Sequence, residues 1–177
     1  MDFPSISLNN VGSKKHEFRQ GRRNNFFKGE YFMNVKKEYL SPCGMYCSVC
    51  AVRAADRDND QELKEKLAPI FGIKPEQITC EGCRSEKTFP FAQACAIRAC
   101  AGENNFEGCH QCGDFPCNHI MTFPFEISKQ QMLAAIPHWK ELGTEQWVME
   151  TEKRFTCSHC GSLLHRYATQ CNRCQRP

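Results

Sequence analysis

The chain has 177 residues, a hydrophobic content of 41% that includes fourteen cysteines, and a formal net charge of +3. That length holds one ordinary domain or two small ones, and an apolar fraction padded by cysteine leaves a thin core that needs metals or disulfides as staples. No apolar stretch reaches membrane-span length and no basic–apolar–small-residue signal opens the chain, which excludes an integral membrane protein and argues for a cytoplasmic, reduced one whose cysteines serve as ligands rather than as seven disulfides.

Residues 1–38 carry eight Lys/Arg and four Asp/Glu and show neither helical nor strand period, so they read as a disordered basic leader. Met33 opens a compact run into the first cysteines. In a bacterial source Lys28-Gly29-Glu30 could be encoded by a ribosome-binding sequence, which makes Met33 a candidate true start.

Residues 39–125 form the cysteine-rich part. Its clusters are Cys43-Gly-Met-Tyr-Cys47-Ser-Val-Cys50, Cys80-Glu-Gly-Cys83, Cys95 with Cys100, and Cys109-His-Gln-Cys112 with Cys117. A Cys-x-x-Cys turn aims two thiolates at one point, and two such turns complete the tetrahedron that Zn²⁺ prefers. Ten cysteines satisfy two four-ligand sites with two over, or three sites if His110 and His119 are added. One division puts Cys80, Cys83, Cys95 and Cys100 at one site and draws another from Cys43, Cys47, Cys50, Cys109, Cys112 and Cys117. Spacing leaves that grouping open. His119 is the better histidine candidate, His110 reading as a surface or supporting residue.

Around these clusters the alanine-rich run from Cys47 to about Leu67 favours helix, broken at the acidic turn Asp56 to Asp60, with a second helix from Gln61 that Gly72 and Pro75 end. Phe89-Pro90, Phe115-Pro116 and Phe123-Pro124 mark rigid corners whose rings plug the core. The segment 126–152 reads as a helical connector. Ser128 and Gln131 make a capping box, Pro137 interrupts the helix and starts another, Gly143 closes it, and Thr144 caps a third. Trp139, Leu142 and Trp147 are expected to pack on the metal core or on the tail.

Residues 153–177 carry five basic residues and no acid, against ten basic and sixteen acidic residues over 39–152. Cys157-x-x-Cys160 and Cys171-x-x-Cys174 have zinc-ribbon spacing, with Ser162 to Tyr167 as the returning strand of a β-hairpin. Gly161 follows the second ligand, where a positive φ lets backbone N–H groups reach the sulfurs. Zinc is favoured over iron for four thiolates in this arrangement. Arg166, Tyr167, Arg173 and Arg176 give the tail a cationic, partly aromatic surface suited to nucleic acid or an acidic partner protein.

In order, Cys43-Gly-Met-Tyr-Cys-Ser-Val-Cys50, Cys80-Glu-Gly-Cys-Arg84, Cys95-Ala-Ile-Arg-Ala-Cys100 and Cys109-His-Gln-Cys-Gly-Asp-Phe-Pro-Cys117 resemble a prokaryotic cysteine-rich family catalogued as a domain of unknown function (DUF 3795). The resemblance spans roughly residues 39–125. It implies a cytoplasmic metal-binding protein and brings no reaction with it.

The fold class expected is small, metal-stabilised and mainly α with irregular cysteine-rich loops, followed by a zinc-ribbon β-hairpin. The functional expectation is a zinc-binding adaptor module, with zinc in the tail and at one or two central sites. The alternative is an iron–sulfur redox or maturation protein with a [4Fe–4S] cluster held by the central cysteines. Cys43-x3-Cys47-x2-Cys50 also matches the radical-SAM signature, but the chain lacks the length and the alternating elements of that barrel. No catalytic acid–base pair, phosphate-binding glycine loop, Ser–His arrangement or open zinc site stands out, so the reading favours a non-enzyme with no small-molecule substrate.

Overall fold

In the computed structural model, residues 35–177 are described; Met33 and most of the leader expected over 1–38 lie outside them. Small residues open the first helix and a carboxylate caps the second. After a 3₁₀ turn at Cys47–Val49, α1 (Ala51–Arg57) uses three alanines, all of them buried. The acidic turn follows, and Asp60 caps α2 (Gln61–Phe71) by accepting the Leu63 N–H at 2.9 Å. Gly72 ends α2 at φ 65°, a left-handed cap that costs glycine nothing.

Five further α-helices follow, two of them only four residues long. They are α3 (Pro90–Gln93), α4 (Ala96–Glu103), α5 (Asn118–Met121), α6 (Glu126–Leu142) and α7 (Thr144–Arg154). Two expectations in this region are corrected. α6 starts two residues before Ser128, because Pro124 directs the chain and the Lys129 N–H already bonds the Phe125 carbonyl at 2.9 Å; Ser128 makes no cap. α6 also runs through Pro137 without a break. Ile136 and Trp139 on either side of it are fully buried, and burying such side chains is worth about 1.5–3 kcal/mol each, enough to offset the roughly 3 kcal/mol penalty of an interior proline. Gly143, at φ 75°, then serves both α6 and α7, so Thr144 is a helical residue rather than a cap.

Three small apolar clusters replace one large core. Leu40, Tyr46, Val49, Trp139, Trp147 and Val148 form the first, with Phe155 and Leu163 of the tail packed against it. Trp139 and Trp147 stack face to face, centroids 4.3 Å apart. Val52, Ala55, Ile78, Cys80 and Phe89 form the second, and Ile97, Ile120, Met132 and Ile136 the third, bordered by Cys43, Cys95, Cys109 and Cys117. Cysteines thus edge two of the three clusters. Phe71, Phe89, Phe91, Phe123 and Phe125 form a contiguous aromatic array beside the second.

The expected β-hairpin of the tail is not present: among the described residues there is no strand, only an isolated antiparallel bridge between Thr156 and Leu163. Pairing stops at that bridge, flanked by the Leu164 N–H to the Phe155 carbonyl at 2.7 Å and the Cys157 N–H to the Ser162 carbonyl at 2.8 Å. The returning segment also spends its backbone elsewhere, the Arg166 N–H bonding the Val49 carbonyl at 2.8 Å. The architecture is mainly helical and rich in irregular loops. No helix among the described residues is long and apolar enough to cross a membrane.

Candidate metal centre

The tail brings four sulfurs to one point. Cys157, Cys160, Cys171 and Cys174 place their Sγ atoms within 4.8 Å of one another, the one such group among the described residues. Cys157 and Cys174 are 3.7 Å apart and Cys160 and Cys171 3.5 Å. A tetrahedron with Zn–S bonds near 2.3 Å has edges of about 3.8 Å, so these spacings suit a single four-coordinate ion. Cys157 and Cys171 are buried, while Cys160 and Cys174 reach partial solvent.

Local turns hold the sulfurs. Gly161, at φ +72°, closes the first turn, its N–H bonding the Cys157 carbonyl at 2.9 Å; the Gln175 N–H does the same for Cys171 at 2.8 Å. The Ser162 hydroxyl and N–H favour the Cys160 thiolate and bring its pKa down to about 6. The N–H groups of His159 and Cys160 lower that of Cys157. At Cys174 the Arg176 N–H favours the thiolate, but desolvation and contacts with the other three sulfurs prevail and push it up to about 11. A metal ligand must be deprotonated, and the hydrogen-bond donors of this pocket favour that form at Cys157 and Cys160.

The central cysteines are arranged more widely. Cys47 faces Cys50, Cys83 and Cys80, and the Cys83 N–H donates to the Cys47 sulfur at 3.2 Å. Cys43 faces Cys95; Cys109 faces Cys43, Cys117, Cys112 and Cys100. Burial pushes Cys43 up to about 11 and Cys83 and Cys109 up to about 12. Cys100, Cys109, Cys112, Cys117 and His119 also line a small cavity of about 20 Å³ walled by Ile97, Phe106 and Phe115. Cys80 and Cys83 thus lie beside Cys47 and Cys50, Cys83 also lies beside Cys43 and Cys95, and Cys100 lies beside Cys109, so these neighbourhoods cross the division suggested by spacing. Chain order could not reveal that the Cys80 turn folds back onto α1, where Asp56 accepts the Cys80 N–H at 2.9 Å.

His110 is not turned toward the sulfurs: its ring stacks on Trp139 with centroids 4.0 Å apart. Of the four residues nominated for a partner, Arg166 is directed inward, its Nη2 donating to the Met45 carbonyl at 3.0 Å and its guanidinium lying 5.1 Å from the Phe155 ring. Tyr167 is exposed and its hydroxyl donates to Gln131 at 3.1 Å. Arg173 and Arg176 are exposed, as are Lys153 and Arg154. Two arginines that motif reading passed over organise the central turns. Arg84 donates to the carbonyls of Leu40, Phe106 and Glu107 at 2.9, 2.8 and 2.6 Å, and Arg98 donates to that of Cys83 at 2.7 Å. Their signal was position: Arg84 follows Cys83 directly, and Arg98 lies between Cys95 and Cys100.

Neither the curated proteins nor the solved structures provide a match to this chain. Residues 39–122 match the model of a family described as a protein of unknown function, DUF3795, so the cysteine-rich part of the chain is similar to that family, with the tail metal centre beyond the matched residues.

Proposed function

We propose that the protein is a zinc-stabilised adaptor module whose basic tail contacts nucleic acid. The observation that carries the reading is the tail's four-sulfur pocket, at the spacing of a single tetrahedral ion. Zn²⁺ there would act structurally. All four positions are taken by thiolates, which leaves none for water or substrate. With Arg166 turned inward, the outward charge comes from Lys153, Arg154, Arg173 and Arg176, with exposed Tyr167 available for stacking.

Metal analysis after anaerobic purification tests the centre. The expected result is a colourless protein that loses one zinc equivalent on Cys157→Ser substitution; wild-type protein without bound metal refutes the reading. Fluorescence anisotropy with a labelled oligonucleotide at two salt concentrations tests the contact. Arg173→Glu/Arg176→Glu should weaken binding and flatten its salt dependence, and wild-type protein with no salt-sensitive binding removes the nucleic-acid role.

A second reading, an iron–sulfur redox or maturation protein, is favoured by the cavity that Cys100, Cys109, Cys112 and Cys117 line together with apolar walls, since cysteines at short spacings plus one more distant in sequence are the usual ligands of a cluster. Brown protein containing iron and acid-labile sulfide would establish it in place of central zinc.

A further inference from the structure

We infer that Cys47, Cys50, Cys80 and Cys83 form a second tetrathiolate metal centre, with Arg98 and Arg166 as its counter-charges. The inference deepens the metal-binding reading above and rests on it.

Three observations converge. The first is convergence of two Cys-x-x-Cys turns, the same local unit that closes the tail site. Cys47 has Cys50, Cys83 and Cys80 as its sulfur neighbours, Cys50 faces Cys80, and Cys83 faces Cys80 as well as Cys43 and Cys95. A backbone hydrogen bond joins the turns, from the Cys83 N–H to the Cys47 sulfur at 3.2 Å.

The second is rigidity built around the sulfurs. Asp56 holds the Cys80 N–H, Arg98 the Cys83 carbonyl, and Gly82 lies between them at φ +138° with the Glu38 carbonyl oxygen 2.6 Å from where a Cβ would be. Tyr46, at φ 46°, precedes the other turn.

The third is charge. Arg166 is half-buried and its charge neighbours are Tyr167, Arg154, Cys50 and Cys43, with no carboxylate among them. Arg98 lies beside Cys83. Among the described residues neither guanidinium makes a salt bridge with a carboxylate. An arginine stays charged at any ordinary pH, and a buried charge without a counter-ion is costly. A divalent ion with four thiolates carries a net charge of −2, as does an oxidised [4Fe–4S] cluster with four thiolates, and two guanidiniums balance either. The sulfurs stand wider here than in the tail, so a single ion would draw them inward, whereas a cluster would span them. The shared chemistry is a dianionic tetrathiolate centre.

Metal stoichiometry separates this inference from the tail reading. Cys47→Ser and Cys80→Ser should each lose the same single equivalent of zinc, or the iron of one cluster. The double variant should lose no more than either alone. Cys157→Ser, in contrast, should lose a separate equivalent, and its failure to do so would count against the tail site only. If the double variant loses two centres, the grouping is wrong. A second measurement does not depend on variant folding. Wild-type protein is titrated with a graded chelator, quenched with N-ethylmaleimide and mapped by peptide mass. Labelling of Cys47, Cys50, Cys80 and Cys83 in one step supports the site; labelling of Cys80 and Cys83 with Cys43 and Cys95, in a different step from Cys47 and Cys50, overturns it. A visible charge-transfer band identifies the cluster and its absence identifies zinc. For the charge role, Arg166→Gln should loosen this centre toward the chelator about tenfold, and Arg166→Lys should largely restore it; equal loosening by both would show that charge is not what Arg166 supplies.

Discussion

Single residues decide whether the cysteine turns can close. A methyl group at position 82 would stand 2.6 Å from the Glu38 carbonyl, in a conformation that side chains rarely adopt. Gly82→Ala should therefore destabilise the metal-loaded protein by about 2 kcal/mol or more, read as a lower midpoint in thermal unfolding. Gly72→Ala, with open space around it and a left-handed φ, should cost less, about 1 kcal/mol. His165 gives a pH signature. Burial lowers its pKa below 6.5, while Asp60, Arg57 and Asp58 stand around it. The unfolded chain binds the proton more readily than the folded one, so stability present above about pH 6.5 is lost as pH falls through the depressed folded value. His165→Gln should make the fall in unfolding midpoint between about pH 7 and about pH 5 shallower than in wild type; superimposable profiles would show that this ring does not contribute.

Elements in this protein are set by what they bury more than by their local preferences. α2 carries Pro69 and α6 carries Pro137 within their spans, although proline is the poorest interior helix former. In α6 the buried Met132, Ile136 and Trp139 keep one face of the helix continuous across the ring. Pro137→Ala restores a hydrogen bond and removes a steric conflict, at the expense of a looser unfolded chain. The expected net effect is stabilisation by about 1 kcal/mol, with helix content unchanged by circular dichroism. A loss of stability would mean that the proline ring itself packs productively. The breaks at Asp56 to Asp60 and at Gly72 were legible because their causes are local: a capping carboxylate and a left-handed glycine. The start of α6 was not, since Ser128 has an ordinary cap pattern and loses to a Phe125 carbonyl placed by the preceding corner.

At the scale of the whole molecule the tail and the helical part share one core. Phe155 and Leu163 pack on the cluster that holds Trp139, Trp147 and Val148, and Arg166 reaches Met45. Metal removal should then disturb more than the tail. Chelation of the zinc-loaded protein is expected to shift tryptophan emission to the red as Trp147 is uncovered, and added Zn²⁺ should reverse it. Emission that stays unchanged while the tail cysteines become reactive would mean that residues 153–177 behave as an independent unit.

Cysteine spacing alone was enough to mark the tail pocket, because a Cys-x-x-Cys turn is a local geometry that needs no distant contact to orient two sulfurs. The alanine-rich α1, its break at Asp56 to Asp60 and the exposed Arg173 and Arg176 were readable on the same ground. Pairing between turns was not: Cys80 and Cys83 meet Cys47 and Cys50 because Asp56, Arg98 and Gly82 fold one loop onto α1, and such contacts leave no periodic mark in the chain. The same holds for Arg166, which composition assigns to the surface. Its inward turn follows from the Val49 and Met45 carbonyls and the Phe155 ring, partners that only the packed molecule brings within reach.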